Sequence, residues 1–262
     1  GSICSIATVG WSVFKTPEIP PTAAELAALK AEKINVFTPF KEIASAIGDM
    51  PKVMWQLALV YLFQWYALFC YWQNASKSIA KSVWNTTVYQ NNPAYEDAVA
   101  WSGLVNGWYN IVTFLSAFFL LWLAKKISPK MIHVICLIMA GIGLLIFPHI
   151  TDKNLLFVPM AGFGIAWASM MGIPYLLVVH KIPKERYGVY MGIINMMIVI
   201  PMLLQTMTFG YILKNFLDND PGKAISFGGV LLLLAAVATL FVQSANENEN
   251  KDAVMTMNGG GY

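Results

Sequence analysis

The sequence predicts an all-α membrane protein, a bundle of six transmembrane helices. Three observations lead there. Hydrophobic residues make up 57% of the 262 and charged residues only 12%, about half the charged share of a soluble domain. Six apolar spans, at 53–73, 98–123, 131–150, 155–179, 187–213 and 224–243, contain no Asp, Glu, Lys or Arg, and each comes to about the 20 residues that a helix needs to cross a hydrocarbon core. Basic residues also collect in alternate connections between the spans, the asymmetry that orients a membrane protein. The mean hydropathy of +0.58 agrees. The net charge of +3 is small and calls for no nucleic-acid partner.

Residues 1–14 are apolar with no basic region before them. A helix of that length reaches about 21 Å, short of a hydrocarbon core of about 30 Å, so the segment reads as the tail of a spanning helix that begins upstream. Residues 15–52 form a polar linker. Thr22-Ala-Ala-Glu25 is a capping-box pattern, and Thr38-Pro39 reads as an N-cap with proline at the first helical position. Phe40, Ile43, Ala44 and Ile47 share a face of that second helix, opposite Lys41 and Glu42, which suits the membrane interface. The bundle then occupies 53–243, and the polar tail 244–262 reads as disordered.

The connections after the second and fourth spans carry Lys125, Lys126 and Lys130, then Lys181, Lys184 and Arg186. Those on the other side mix Lys77, Lys81, Lys153, Lys214 and Lys223 with Glu96, Asp97, Asp152, Asp218 and Asp220. The first set is therefore placed in the cytoplasm, and six spans then put linker and tail on that side too. An external loop is expected over Asn74 to Asp97. It contains two glycosylation patterns, Asn74-Ala-Ser76 and Asn85-Thr-Thr87, which carry little weight in so Asn/Ser/Thr-rich a stretch.

No GxSxG, HExxH, P-loop or CxxC pattern occurs, and no carboxylate pair lies within a span. Catalysis inside the bilayer has no candidate residues, so the chain is not read as an enzyme. Cys4, Cys70 and Cys136 are odd in number and far apart, giving neither a disulfide framework nor a metal site. His133, His149 and His180 fall near span ends and read as interfacial.

The spans do contain neutral polar and aromatic side chains at helical spacing. The first carries Tyr61, Gln64, Trp65, Leu68, Tyr71 and Trp72; the second Gly103, Asn106, Asn110, Thr113 and Ala117; the fifth Asn195, Val199, Met202 and Gln205. The fourth is rich in small residues around Trp167, among them Gly162, Gly164 and Gly172, which suits close packing. Amides both donate and accept, and indole and phenol rings offer flat faces to C–H surfaces. That combination fits a neutral, hydroxyl-rich ligand, whereas a charged one would recruit a buried Arg, Lys or carboxylate. The candidate binding residues are Gln64, Trp65, Tyr71, Asn106, Asn110, Asn195 and Gln205. The candidate hinge is Pro201, with the Gly188/Gly192 step expected to admit a neighbouring backbone.

Met50-Pro-Lys-Val-Met-Trp-Gln-Leu-Ala58, Gln64-Trp-Tyr-Ala-Leu-Phe-Cys-Tyr-Trp72 and Arg186-Tyr-Gly-Val-Tyr-Met-Gly-Ile-Ile-Asn-Met-Met-Ile-Val-Ile-Pro201 resemble the sucrose/proton symporter branch of the glycoside–pentoside–hexuronide transporters, within the major facilitator superfamily. The family pattern continues from that proline into Gln, where this chain has Met202. The resemblance implies twelve helices in two six-helix halves, alternating access, and proton-coupled uptake of a disaccharide or related glycoside. The chain would supply the end of helix six, the central linker and helices seven to twelve. Its partners would be the sugar, the lipid bilayer and an N-terminal six-helix half, with the proton gradient as energy source and no cofactor. With no ionisable group expected inside the six spans, a coupling carboxylate would belong to the other half. A uniporter or sodium-coupled carrier of the same fold, and a non-transporting sensor or scaffold, are the alternatives.

Overall fold

A computed structural model of the chain describes residues 2–15, 22, 26, 38–182 and 186–243. The capping box at Thr22, the turn at Lys184 and Glu185 and the 244–262 tail lie wholly or partly outside them. Among the described residues are eight α-helices: α1 (Ser2–Lys15), α2 (Thr38–Gly48), α3 (Lys52–Ser82), α4 (Pro93–Ala124), α5 (Pro129–Ile146), α6 (Phe157–Val178), α7 (Tyr187–Phe216) and α8 (Pro221–Leu240). Six of them, α3 to α8, are long and apolar enough to cross a membrane. The all-helical six-span architecture expected from the sequence is the one observed.

The chain divides at Glu42/Ile43 into two compact units. In the first, α1 leaves Trp11 and Phe14 exposed, with the Lys15 ammonium over the Trp11 ring. In the second, α3 is the hub, packing against α8, α7 and α4, while α5 packs on α8 and α6, and α6 on α4. At three of these crossings helices meet through glycine. A Cβ on Gly164 would lie 2.5 Å from the Tyr109 carbonyl oxygen, one on Gly228 3.0 Å from that of Ala67, and one on Gly229 2.8 Å from that of Gly141. In lipid such close approach supplies the dispersion contacts that a hydrophobic force does not. The Gly188/Gly192 step does not work this way, because a Cβ at either position meets nothing within 4 Å. The GxxxG pattern there marks an open face of α7.

Asx caps start the helices at one end of the bundle. The Asn92 side chain accepts from the Ala94 amide ahead of Pro93, and Asp152 accepts from Asn154. Asp220 accepts from Gly222 and Lys223 with Pro221 at the first helical position. Asp220 also pairs with Lys81, tying the end of α3 to the start of α8.

One expectation needs correction here. The long external loop is short, because α3 continues to Ser82 and α4 already begins at Pro93. The 73–82 segment is polar but free of Gly and Pro, and Ala75, Ile79 and Ala80 extend the buried face of α3. Asn74 therefore sits inside a helix, buried, with its amide donating to the Cys70 carbonyl, so that acceptor pattern is closed. In α2, Phe40 and Ile47 are exposed while Ala46 is fully buried.

Gly164→Ala should lower the melting temperature in detergent, by overpacking worth about 1–3 kcal/mol. Gly192→Ala should leave it unchanged or raise it, since open space and helix propensity both favour alanine there. Asp220 gives a pH prediction. Burial raises its carboxyl, but the Lys81 hydrogen bond and the Gly222 and Lys223 amides outweigh that and hold it below the usual range. A depressed folded value contributes stability above the unfolded carboxylate range, about pH 4, and loses it as pH falls through the folded value. Asp220→Ala should remove that acid-sensitive component in melts taken between neutral pH and pH 3, together with about 1 kcal/mol of capping.

Candidate functional site

The candidate residues of α3 fall on its buried side. Gln64 is fully buried, and neither its amide nitrogen nor its oxygen has a hydrogen-bond partner among the described residues. The neighbouring Trp65 indole N–H is buried and equally unpartnered. The Trp65 ring stands edge-on to Trp167 of α6 at 5.7 Å and to Tyr61 at 6.4 Å. Trp72, two turns along, meets the same Trp167 at 5.6 Å. Three indoles therefore bridge α3 and α6 beside an amide with nothing to bind.

One turn further, Tyr71 is fully buried and donates its hydroxyl to Asn106 Oδ1 of α4 at 2.8 Å. Asn106 is half-buried, and its carbonyl accepts from the exposed Asn110 amide at 2.8 Å. Tyr71 packs on Phe163 of α6 at 5.0 Å. Gln64, Trp65, Tyr71, Asn106 and Asn110 thus belong to one neighbourhood built by α3, α4 and α6.

Gln205 lies elsewhere. It is fully buried, but its amide donates to Gln73 Oε1 at 3.0 Å, and its own oxygen has no partner among the described residues. Gln73 is nine residues from Gln64, half a circle round α3 at about 100° per residue. On that same face Tyr66 shares a hydrogen bond of 2.8 Å with Thr208 of α7. Asn195 joins neither group; it is exposed and makes no side-chain hydrogen bond among the described residues. The stripe drawn from Asn195 to Gln205 drifts, because ten residues turn a helix about 80° short of whole turns. Pro201 is buried within an unbroken α7.

His133 corrects the interfacial reading of the histidines. It is fully buried between α5 and α6, with Nδ1 2.8 Å from Ser169 Oγ and Nε2 without a partner among the described residues. An ionisable side chain therefore does lie inside the spans. Its burial was legible, since His133, Leu137, Ala140 and Leu144 share the packed face of α5 at helical spacing. The Tyr66/Thr208 and Gln73/Gln205 pairs carried no such signal, because the hydrogen bonds join helices far apart in sequence.

The sequence profile of the Major Facilitator Superfamily matches residues 1–206. The chain belongs to that superfamily. It is thus an integral, multi-pass membrane protein of a transporter family, in agreement with its six apolar helices. No curated protein matches the sequence significantly. The polar groups that α3, α4 and α6 bring together divide into paired ones, Tyr71 with Asn106, and ones without a partner among the described residues, Gln64 and the Trp65 indole.

A double-mutant cycle separates the two kinds. Tyr71→Phe and Asn106→Leu should each lower stability and show a coupling of about 1 kcal/mol in denaturant unfolding, the worth of a part-buried hydrogen bond. Asn110→Leu, which removes a bond within one exposed helix face, should stay within about 0.5 kcal/mol of the parent.

Proposed function

We propose that the chain forms one wall of a proton-coupled symporter for a neutral disaccharide or related glycoside, working by alternating access, in the sucrose/proton branch that the three sequence motifs resemble. The observation that carries this reading is the pair Gln64 and Trp65 in the middle of α3, whose three polar atoms, Gln64 Nε2 and Oε1 and Trp65 Nε1, have no partner among the described residues, with the Trp65 ring against Trp167. A buried amide without a partner costs about 1–3 kcal/mol and is retained where something else completes it. Two donors and one acceptor against an indole face match sugar hydroxyls and the C–H surface of a pyranose.

The described residues contribute no buried Asp, Glu, Lys or Arg to this wall, which supports an uncharged cargo. In this reading the coupling carboxylate belongs to another part of the carrier, the proton gradient is the energy source, and the basic turns at Lys125/Lys126 and Lys181/Arg186 face the cytoplasm. Pro201 lets α7 bend, since its missing N–H leaves one carbonyl of the helix free.

The test is uptake by the whole carrier in proteoliposomes under an imposed pH gradient, compared with a sodium gradient and with none. Gln64→Leu should cut glycoside uptake by about tenfold or more, while leaving the melting temperature equal or higher, because it removes an unsatisfied buried amide. Uptake that needs no pH gradient would defeat the coupling. Uptake untouched by Gln64→Leu would defeat the site.

A further inference from the structure

A cavity lies between α4 and α6, on the side of the basic turns, and its chemistry differs from that of the amide residues. It measures about 270 Å³ and is lined by Thr113, Ala117 and Ala124 of α4 facing Ala168, Gly172 and Leu176 of α6. The one hydroxyl here is already engaged, Thr113 Oγ1 lying 2.7 Å from the Tyr109 carbonyl and 2.9 Å from that of Gly164. The lining therefore offers apolar surface and nothing to hydrogen-bond. From Thr113 to Ala124 the groove runs about 17 Å at 1.5 Å per residue, roughly half of a 30 Å hydrocarbon core and so the depth of one leaflet.

Its lower end carries charge of one sign. Ala124 is the last residue of α4, and the next two, Lys125 and Lys126, are exposed. Neither forms an ion pair among the described residues. The Lys126 ammonium stands 4.0 Å over the ring of Trp122, at the level where tryptophan meets lipid headgroups. Lys130, by contrast, is occupied by the Leu240 and Val242 carbonyls.

We propose that this groove holds one acyl chain of an anionic phospholipid, with the headgroup phosphate on Lys125 and Lys126. The apolar lining selects a hydrocarbon chain, its length selects the leaflet on the side of the basic turns, and the two unpaired ammonium groups at its mouth select a negative headgroup. The small residues Ala117, Ala168 and Gly172 keep the space open; a Cβ on Gly172 would meet nothing within 4 Å. The inference does not depend on what the amide wall binds.

Native mass spectrometry of the full-length protein, equilibrated with equal amounts of phosphatidylglycerol and phosphatidylcholine, tests it. One phosphatidylglycerol should be retained per chain in preference to phosphatidylcholine. Lys125→Gln/Lys126→Gln should reduce that preference about tenfold or more, at about 1 kcal/mol per lysine. Gly172→Leu should fill the groove and lower retention of both lipids; if it fails to fold, the double lysine variant, confined to exposed side chains, decides alone. Equal retention of the two lipids, or unchanged selectivity in the lysine variant, would overturn the proposal. Cross-links from Gly172→Cys to another protein segment, with no lipid retained, would assign the groove to a protein contact and overturn it equally.

Discussion

Water is absent from the hydrocarbon of a bilayer, so every polar group placed there has to find its partner within the protein. Most of the buried polar side chains in this bundle obey that constraint with a single bond. Tyr71 has Asn106, Asn74 has a carbonyl of its own helix, Gln205 has Gln73, and His133 has Ser169. Gln64 and the Trp65 indole depart from the pattern furthest, with three polar atoms and no bond among the described residues, while Ser78 and Ser82 near the end of the same helix each leave one hydroxyl unpartnered. A helix could have spared itself the cost by carrying leucine and phenylalanine at those two positions. The exception is informative because its neighbours on the same helix, seven and ten residues along, are satisfied.

The glycine contacts determine where that exception sits. Gly164 brings α6 against the Tyr109 carbonyl of α4, and Trp167 follows three residues later on nearly the same side of the helix. Had α6 stood further from α4, Trp167 could not meet Trp65 and Trp72 together at 5.7 and 5.6 Å. Gly228 does the corresponding work from the other side, seating α8 on the Ala67 carbonyl of α3. The amide wall is held by backbone approach on both flanks, which is stiffer than side-chain packing alone.

Much of this was legible in the sequence, and the limits have physical causes. Six spans free of acidic and basic residues are a statement about burial in lipid, and the helices followed. The first span was ended at 73, where the continuous apolar run gives way, but a helix ends where its backbone is capped or broken, and α3 runs on through a polar segment to Ser82. Periodicity also shows which residues share a face without showing which way that face points. Gln64 and Tyr71 do share the buried side of α3, whereas Asn195 and Gln205 were joined along steps that accumulate a quarter turn. His133 was misjudged because closeness to a span end was taken for exposure, although α5 is packed from its first turn.

The two faces of α3 suggest how a carrier of this kind divides rigidity from motion. Toward α4, α6 and α8 it is held by the Tyr71 bond, the indole bridge and the Gly228 contact. Toward α7 it is held by two side-chain pairs, Tyr66 with Thr208 and Gln73 with Gln205, and by aromatic edges around Phe209. Both pairs join neutral side chains, whereas α6 meets α4 through a glycine against a backbone carbonyl and a threonine hydroxyl that reaches across. Under the transport reading, α7 with its internal proline is the element that yields, and the wall bearing Gln64 stays in register while it does.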